Sequence, residues 1–335
     1  MTTLPTSARL VADIGGTNAR FALLDAQDRP DCVRVLPCAD FPDIEAAIEA
    51  YLAGMGGPRP AEAAIAIANP VTGDQITMTN HHWSFSVRAL KTRLGLDRLV
   101  VLNDFAALAM ALPALPRHDL VQVGGGTAVE GEPIGVIGPG TGLGVAGLVP
   151  ANGYWLPLPG EGGHVTLAAA NDFEATVIAM LRQRFGHVSA ERVLSGPGLV
   201  ALYQTLGALH QAPIAALGPA ELTRRARDGG DALCRETLTM FCAMLGTVAG
   251  NLALTLGARG GIYLGGGILP QLGPFFEQSP FRARFEDKGR FAAYLAPVPC
   301  FVIHAAEPAL LGSARALAAD RVRAAQQADA EDRNK

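Results

Sequence analysis

Residues 11–20 read Val11-Ala12-Asp13-Ile14-Gly15-Gly16-Thr17-Asn18-Ala19-Arg20, and this stretch decides the fold of the chain. A short apolar run ends there in two glycines and two small polar residues, and a second apolar run, Phe21 to Leu24, follows at once. The pattern predicts a β-hairpin with a glycine tip. An Asp inside an apolar strand is costly unless a metal or a hydrogen-bond donor partners it. Glycines let backbone N–H groups approach a ligand closely. With the donors of Thr17 and Asn18, this tip suits a phosphate and its Mg²⁺.

A second segment of the chain has the same design. The apolar run Ile134 to Ile137 leads into Gly138-Pro139-Gly140-Thr141-Gly142-Leu143-Gly144, and Val145 to Val149 follows. Thr141 occupies the place in this segment that Thr17 has in the first. Two glycine hairpins with matched chemistry predict two related half-molecules with a phosphate chain held between them. The alternative is a pair of ordinary hairpins in an α/β protein.

Composition bounds the class of protein. The length of 335 residues is enough for two domains with their own cores. The net charge is −4 and no long basic run occurs, so nucleic acid and anionic membranes are poor candidates as partners. No secretory signal is visible at the N-terminus. The five scattered cysteines form no Cys-x-x-Cys pair, which favours reduced thiols in a cytoplasmic protein and disfavours a zinc site.

One segment challenges this interpretation. The uncharged run from Thr237 to Ala258 is long enough to span a bilayer, and Gly246-x-x-x-Gly250 within it is a packing motif of membrane helices. However, the run also contains Asn251 and four threonines, which favours a buried helix of the larger domain. Such a helix would suit the interface of a homodimer, although burial within one subunit explains it equally well.

The hydrophobic periodicity predicts an α/β fold with a mixed sheet. Strands are expected near 9–14, 20–25, 32–37, 63–68, 99–102, 261–265 and 301–303, and helices near 43–53, 86–94, 105–111, 172–185, 197–209, 231–257 and 308–325. Pro113 and Pro116 indicate a domain boundary, and residues 157–164 read as a polar loop.

Several polar side chains fall where ligands bind in such folds. Asn103 and Asp104 follow a strand and precede a helix, a position that binds ligands in α/β sheets but that also suits helix capping. Glu161 and His164 lie in a glycine-bearing loop, and Glu191 precedes another glycine-rich turn. Together the five residues offer many acceptors and few apolar atoms, as a polyol site requires. Plain surface loops and a solvated Glu191 are the alternative.

Other glycines also bear on the ligand. Gly265-Gly266-Gly267 ends a strand, so a flat ring such as adenine could lie against the backbone there, unless the run is only a tight turn. The segment Gly142 to Gly147 matches the dinucleotide pattern, but a strand and not a helix is expected after it, which excludes that motif. No Gly-Lys pair occurs, so there is no P-loop. Phosphates must therefore be held by backbone N–H groups, hydroxyls and a metal.

With these residues the chain resembles bacterial glucokinases of the proteobacterial type, members of the superfamily of sugar kinases, Hsp70 and actin. The resemblance runs from about Leu10 to about Ala316. It rests on the hairpin motif from Asp13 to Arg20 and on six further motifs: Met78-Thr79-Asn80-His81, Asn103-Asp104-Phe105, Gly140-Thr141-Gly142-Leu143-Gly144, Leu158-Pro159-Gly160-Glu161-Gly162-Gly163-His164, the run from Gly186 to Gly198, and Phe285-Glu286-Asp287-Lys288-Gly289-Arg290.

The resemblance implies a fold of two ribonuclease-H-like α/β domains around a central cleft. The small domain would comprise residues 1–114 and about 305–325, with the C-terminal helix returning to it. The large domain would comprise residues 115–304, and residues 326–335 would form a disordered tail. The resemblance also implies phosphorylation of D-glucose at its 6-hydroxyl, with ATP and Mg²⁺ as cofactors.

The resemblance implies a role for each candidate residue. Asp104 resembles the general base, and the glucose contacts would be Asn103, Asp104, Glu161, His164 and Glu191. The first phosphate loop would be Gly15, Gly16, Thr17 and Asn18, and the second Gly140, Thr141 and Gly142. Gly265 and Gly266 would flank the adenosine. Asp13 would lie near Mg²⁺ and contact it through a water molecule.

The chain departs from the family pattern in one place. Glu307-Pro308-Ala309-Leu310-Leu311-Gly312 stands where the family often has Asn-Pro-Gly-Leu-Leu-Gly. Ala309 is compatible with this turn only if its position does not need a positive φ.

Three other functions are alternatives to this one. A sugar-responsive repressor is disfavoured because the first strand is expected by about Arg9, which leaves no room for a helix-turn-helix before it. A catalytically weak glucose sensor remains open, although the intact set of Asp13, Asp104 and Glu161 argues against it. A kinase for another hexose or with another phosphoryl donor also remains open.

Overall fold

The structure, a computed structural model, describes residues 8–333. The strands are β1 (Arg9–Ile14), β2 (Asn18–Leu24), β3 (Pro30–Pro37), β4 (Glu62–Ile67), β5 (Gln75–Thr77), β6 (Ser84–Ser86), β7 (Arg98–Asn103), β8 (Leu120–Val123), β9 (Ile134–Pro139), β10 (Leu143–Ala151), β11 (Tyr154–Gly160), β12 (Ile262–Leu264) and β13 (Cys300–Ile303). The α-helices are α1 (Ile44–Ala53), α2 (Val87–Arg93), α3 (Asp104–Ala111), α4 (Asp172–Phe185), α5 (Gly196–Leu209), α6 (Pro219–Asp228), α7 (Ala232–Leu256), α8 (Pro274–Glu277), α9 (Phe281–Glu286), α10 (Ala292–Leu295) and α11 (Pro308–Arg333).

The described chain divides into two compact units. The first unit comprises residues 8–115, Ala151–Pro157 and the residues from Ala305 onward. The second unit comprises Pro116–Pro150 and Leu158–His304.

The first unit has a five-stranded sheet in the order β3-β2-β1-β4-β7. Strand β1 pairs antiparallel with β2 and parallel with β4, and β4 pairs parallel with β7. In the β1–β2 ladder Asp13 faces Arg20 and Ile14 faces Ala19, so residues 15–17 form the tip of a hairpin. The predicted glycine hairpin is therefore confirmed.

Both faces of this sheet are covered, because successive side chains of a strand point to opposite sides. Leu10 and Ile14 belong to a core that also includes Ile48 of α1. Val11, one residue out of phase, belongs to a second cluster with Leu317 of α11. The C-terminal helix therefore packs on the sheet that the N-terminal strands form.

The second unit has a six-stranded sheet in the order β11-β10-β9-β12-β13-β8. Strands β9 and β10 pair antiparallel with Pro139 opposite Leu143, so residues 140–142 form the tip of the second predicted hairpin. Strand β12 pairs parallel with β9 and with β13. A strand, β10, follows Gly142, so the dinucleotide motif is absent there, as the sequence predicts.

The long apolar helix α7 belongs to the core of the second unit. It is the helix within residues 8–333 whose length and hydropathy would allow a membrane crossing, but 78% of its apolar window is buried. A Cβ on Gly246 would lie 2.2 Å from the carbonyl oxygen of Phe281, and one on Gly250 would lie 2.5 Å from that of Phe285. The two glycines thus let α9 approach within the same chain. The predicted buried helix is confirmed, and its glycines give no argument for a homodimer.

Two sequence-based expectations differ from the structure. Residues 157–164 are not one loop, because β11 continues to Gly160 and a 3₁₀ turn, Gly162–His164, follows. The prolines in β11 are tolerated because this strand lies at the edge of its sheet. The tail expected at 326–335 is helical as far as Arg333, since Ala, Gln and Glu favour helix there. Residues 334–335 lie outside the described part of the chain.

Candidate active site

The first glycine tip is fixed at both ends by hydrogen bonds. Gly15 N–H donates to the carbonyl oxygen of Asn18 at 3.0 Å, which closes the turn. Cys38 N–H donates to the carbonyl oxygen of Thr17 at 2.8 Å, and the Cys38 thiol lies 3.4 Å from the carbonyl oxygen of Gly15. The tip is therefore held in one conformation, with Thr17 exposed.

Asp13 lies one residue before the end of β1, with its side chain only 18% exposed. Arg20 Nη1 lies 3.6 Å from its carboxylate, and Arg20 Nε lies 2.6 Å from a carboxylate oxygen of Glu307. Burial raises the pKa of Asp13 to about 6; Arg20 opposes this shift, and the charges of Asp104 and Glu307 add to it. A concentration of negative charge in this part of the first unit would be relieved by a cation.

The donor set near Asp13 fits a Mg²⁺ ion that arrives with a nucleotide. No group of three or more His, Cys, Asp or Glu side chains within residues 8–333 could by itself hold a metal. Mg²⁺ commonly uses one or two carboxylates and takes its other ligands from water and substrate phosphates. A single carboxylate at the end of β1, beside a glycine tip, suits that arrangement.

Asn103 and Asp104 lie at the junction of β7 and α3. Asn103 caps the helix, since its Oδ1 accepts hydrogen bonds from the N–H groups of Phe105 at 2.9 Å and Ala106 at 3.2 Å. Phe105 N–H also donates to Asp104 Oδ1 at 2.9 Å. The Asp104 carboxyl group thus lies in the first turn of α3, beside the N–H groups at the start of the helix. The capping alternative therefore holds for Asn103, and its amide Nδ2 faces the carbonyl oxygen of Asn69 at 3.4 Å.

The second unit gathers its own candidate residues around the second glycine tip. Gly140 N–H donates to the carbonyl oxygen of Gly142, and Gly196 N–H donates to that of Gly140, both at 2.8 Å. Leu143 N–H donates to Glu191 Oε2 at 2.9 Å, which places this carboxylate beside the tip.

Glu161 and His164 lie in an exposed turn that is tied to the segment of Glu191. His164 N–H donates to the carbonyl oxygen of Glu161 at 2.9 Å, and Ala190 N–H donates to that of Val165 at 2.9 Å. The structure thus holds the 161–165 and 189–191 segments together.

The third glycine run lies close to the second tip. Gly265 N–H donates to the carbonyl oxygen of Ile137 at 2.9 Å, three residues before Gly140. Gly266 has a φ of +80°, a conformation that favours glycine. Gly265 and Gly266 therefore follow β12 beside the end of β9.

The candidate residues fall into two sets, each brought together within its own unit. The first unit holds Asp13, Gly15, Gly16, Thr17, Asn18, Asn103 and Asp104. The second unit holds Gly140, Thr141, Gly142, Glu161, His164, Glu191, Gly265 and Gly266.

Sequence reasoning missed two residues that shape these sets. Glu307 contacts Arg20 across from Asp13, and Asn69 contacts the side chain of Asn103. The departure from the family pattern at position 307 is the sequence feature that could have pointed to Glu307. The Asn-Pro pair just after a buried strand is the feature that could have pointed to Asn69. Ala309 lies in the first turn of α11, and the positive φ, +52°, belongs to Glu307.

Comparison with known proteins gives a consistent result. The family model described as Glucokinase matches residues 10–320. A glucokinase from Chromobacterium violaceum is 56% identical over 310 residues, which cover 92% of this chain and 89% of that protein. The crystal structure of a glucokinase from an Antarctic psychrotroph has a TM-score of 0.86 and 39% identity, with 93% of this chain and 99% of that chain covered.

A more distant structure shares the fold alone. It is a ROK family glucokinase from Streptomyces griseus in complex with glucose and AMPPNP, 18% identical with a TM-score of 0.61. The match covers 93% of this chain and 99% of that chain. The expected α/β fold of the sugar-kinase type is therefore confirmed. From its length-wide match to the family model and to these relatives, the chain belongs to the glucokinase family of enzymes.

Proposed function

We propose that this enzyme transfers the γ-phosphoryl group of ATP to the 6-hydroxyl of D-glucose, with Asp104 as the general base. The observation that carries the proposal is the position of Asp104. Its carboxylate stands at the carboxyl end of β7 and the start of α3, with one oxygen fixed by Phe105 N–H at 2.9 Å. Ligands bind at such strand ends in α/β sheets.

Asp104 would act on the 6-hydroxyl of the sugar. The hydroxyl proton moves to the carboxylate as the hydroxyl oxygen forms a bond to the γ-phosphorus, and the bond from that phosphorus to the departing ADP oxygen breaks. A carboxylate within hydrogen-bond reach of a hydroxyl can accept its proton as the hydroxyl oxygen attacks. Phosphoryl transfer otherwise depends mainly on positioning and on neutralisation of charge.

The remaining polar residues would bind the sugar hydroxyls. Asn103 offers its amide, Glu161 and Glu191 offer acceptors, and His164 can serve as donor or acceptor. Support comes from the hydrogen bonds that fix Asn103 as a helix cap and Glu191 on Leu143 N–H, because side chains held in place bind a sugar with little loss of entropy.

The glycine segments would bind the nucleotide. Backbone N–H groups and hydroxyls of residues 15–18 and 140–142 would hold phosphates, and Gly265 and Gly266 would lie against the adenosine. Bound Mg²⁺ would neutralise charge on the phosphates. Asp13 would orient it through a water molecule.

The experiment is a coupled assay for glucose 6-phosphate with Mg²⁺, ATP and glucose, run beside mannose, fructose and N-acetylglucosamine. We expect turnover on glucose. We expect Asp104→Ala to lower kcat by about 10²–10⁴-fold, while glucose binding, measured by calorimetry, stays within a few-fold of the parent. Asp97→Asn, an exposed carboxylate of the same unit, is the matched control and should leave kcat unchanged.

Three results would contradict the proposal. Near-normal kcat in Asp104→Ala would remove Asp104 as the base. Binding of glucose without turnover in the parent protein would indicate a sensor, and preferred turnover on another sugar would indicate a different hexose kinase.

A further inference from the structure

Asn69 lies two residues beyond β4 and connects two parts of the first unit. Its Oδ1 accepts hydrogen bonds from Thr79 twice, from the N–H at 3.0 Å and from the hydroxyl at 2.7 Å. Its carbonyl oxygen faces the side-chain amide of Asn103 at 3.4 Å. One residue therefore joins the end of β7 to the turn formed by residues 78–83.

The 78–83 turn in turn packs on the first glycine tip. A Cβ on Gly16 would lie 3.0 Å from the Cβ of Asn80 and 3.1 Å from its carbonyl oxygen, so only a glycine permits this approach without adjustment. The far end of the turn is anchored by Trp83, which is 1% exposed and donates its Nε1–H to the carbonyl oxygen of Phe41 at 3.2 Å. Asn69 holds the near end.

The same region is tied to β1. Ala68 N–H donates to the carbonyl oxygen of Ile14 at 3.0 Å, directly before the glycine tip. The chain at 68–69 thus contacts the end of β1, the 78–83 turn and Asn103.

We propose that Asn69 is a positioning residue that fixes the first phosphate loop relative to Asn103 and Asp104. The inference rests on the proposed function, which makes residues 15–18 a phosphate loop and Asn103 a sugar contact. Asn69 acts through Thr79 and Asn80 and touches neither substrate. An error of about 1 Å in the placement of reacting groups costs on the order of 10²-fold in rate, so the two bonds to Thr79 matter for turnover.

The test compares Asn69→Ala and Thr79→Val with Thr79→Ser as the matched control. Asn69→Ala removes the acceptor of both bonds. Thr79→Val keeps the shape of the side chain and loses the hydroxyl, whereas Thr79→Ser keeps the hydroxyl. We expect Asn69→Ala to raise KM for MgATP and lower kcat, with kcat/KM falling about 10–100-fold, and Thr79→Val to show a smaller fall. Thr79→Ser should stay within about threefold of the parent.

Glucose affinity separates positioning from a general loss of structure. None of these substitutions removes an atom of the bonds that Phe105 N–H and Ala106 N–H donate to Asn103, so calorimetric binding of glucose should change by less than about threefold. The double variant Asn69→Ala/Thr79→Val should be no worse than Asn69→Ala alone, because both changes remove the same hydrogen bond.

Three outcomes would overturn the inference: unchanged kinetics in Asn69→Ala, additive losses in the double variant, or an equal fall in Thr79→Ser and Thr79→Val. The proposed function fails differently, since the parent protein itself would then not phosphorylate glucose. In that case the affinity for MgAMPPNP, measured by calorimetry, still tests the role of Asn69. A displaced phosphate loop would make the affinity of Asn69→Ala lower than that of the parent, whereas an undisturbed loop would leave the two equal.

Discussion

At the scale of the residue, Asp13 is a carboxylate in an apolar strand, and its burial is energetically unfavourable. A carboxylate in an apolar strand was the sign of a ligand site, and the structure places it largely buried with Arg20 at 3.6 Å. The long contact compensates burial only in part, because Arg20 also contacts Glu307 at 2.6 Å. The pKa of Asp13 therefore rises to about 6.

The raised pKa predicts a pH dependence. In the free enzyme Asp13 is half protonated at about pH 6 and is ionised above it. Since kcat/KM reports groups of the free enzyme, we expect kcat/KM for MgATP to fall below about pH 6 with the loss of this one negative charge. Asp13→Asn should be poorly active and should lack this acid limb, while Asp97→Asn should keep it. A profile that stays flat from pH 8 to pH 5 would contradict the assignment.

The ionised carboxylate of Asp13 should have opposite effects on activity and on stability: it supports activity, but it destabilises the ligand-free fold. A carboxyl whose folded pKa lies above its unfolded value destabilises the fold as the pH rises above the unfolded pKa, and the cost is complete above the folded pKa. Asp13→Asn should therefore stabilise the ligand-free protein at pH 8, by about 1–3 kcal/mol, in a urea titration. The gain should shrink as the pH falls below about 6 and should disappear only near pH 4, at about the pKa of Asp in the unfolded chain. A less stable variant at pH 8 would show that the carboxylate has a better partner than Arg20.

Glu307 marks a limit of sequence reasoning at this scale. The departure from the family pattern raised the question whether Ala309 fits, but the left-handed residue is Glu307. Which residue reverses the chain before Pro308 depends on how β13 leads into α11, and no local pattern gives that. Asn adopts this conformation more readily than Glu, and in this chain Glu307 gains an ion-pair contact with Arg20.

At the scale of the element, periodicity located the long segments and failed on short ones. The two glycine hairpins and the helix α7 agree with prediction because their apolar runs are long and end in glycine. Strands β5 and β6 have three residues each, too few to show alternation. Helix α6 was missed although Glu221 pairs with Arg224 and Arg225 along it, because its apolar face is small.

A buried ionic network joins three helices of the second unit. Glu174 of α4 is 3% exposed and accepts hydrogen bonds from Arg284 of α9 at 2.6 and 3.1 Å. Arg284 also donates to the hydroxyl of Thr247 on α7 at 2.7 Å. Burial alone would raise the pKa of Glu174, but the bonds from Arg284 and from Ala170 N–H outweigh it, and the pKa is lowered.

This network predicts a large loss when one partner is removed. Arg284→Met leaves the Glu174 carboxylate buried without its cation, and we expect a loss of about 3–5 kcal/mol in urea unfolding at pH 7. Glu174→Gln/Arg284→Met should be more stable than Arg284→Met alone, because no buried charge remains. Arg259→Met removes an exposed pair with Glu132 and should cost less than about 1 kcal/mol. Equal losses in the buried and exposed pairs would refute the argument.

The pH sign for this network differs from that of Asp13. A lowered carboxyl pKa gives stability that is complete above the unfolded pKa and is lost as pH falls through the folded pKa. The parent protein should therefore keep this contribution from pH 8 down to about pH 5. In Arg284→Met the pKa of Glu174 should rise, so the deficit relative to the parent should shrink on acidification. A constant deficit would mean that Glu174 is solvated in the variant.

At the scale of the whole molecule, the first unit is built from distant parts of the sequence. Val11, Ala22, Leu24 and Ala64 of the N-terminal strands form one cluster with Leu310, Ala314 and Leu317 of α11. Alternation in β1 predicts that both faces of the sheet are buried, but it does not say which helix covers each face. Ser313, whose hydroxyl donates to the carbonyl oxygen of Ala12 at 3.3 Å, fixes that pairing in the structure.

This arrangement predicts how a C-terminal truncation should act. Removing residues 305–335 uncovers the face of Val11 and takes away Leu310 and Leu317, each worth about 1.5–3 kcal/mol, against a total stability on the order of 5–15 kcal/mol. It also removes the partners of Arg98 and Glu62, which are Asp320 and Arg321. We therefore expect hydrogen exchange to accelerate throughout β1, β4 and β7, while peptides from α7 and β9 keep their protection, since the second unit has its own core.

A shorter truncation supplies the control for this experiment. Removing residues 326–335 takes away a helical end whose side chains from 326 to 332 are exposed, so protection in β1 and β4 should not change. If both truncations left the first sheet protected, α11 would be dispensable for the unit. If the longer one instead exposed α7 as strongly as β1, the two units would unfold together and could not be treated as separate cores. If the first unit is assembled from both ends of the chain, the longer truncation should remove protection from hydrogen exchange in the first sheet only.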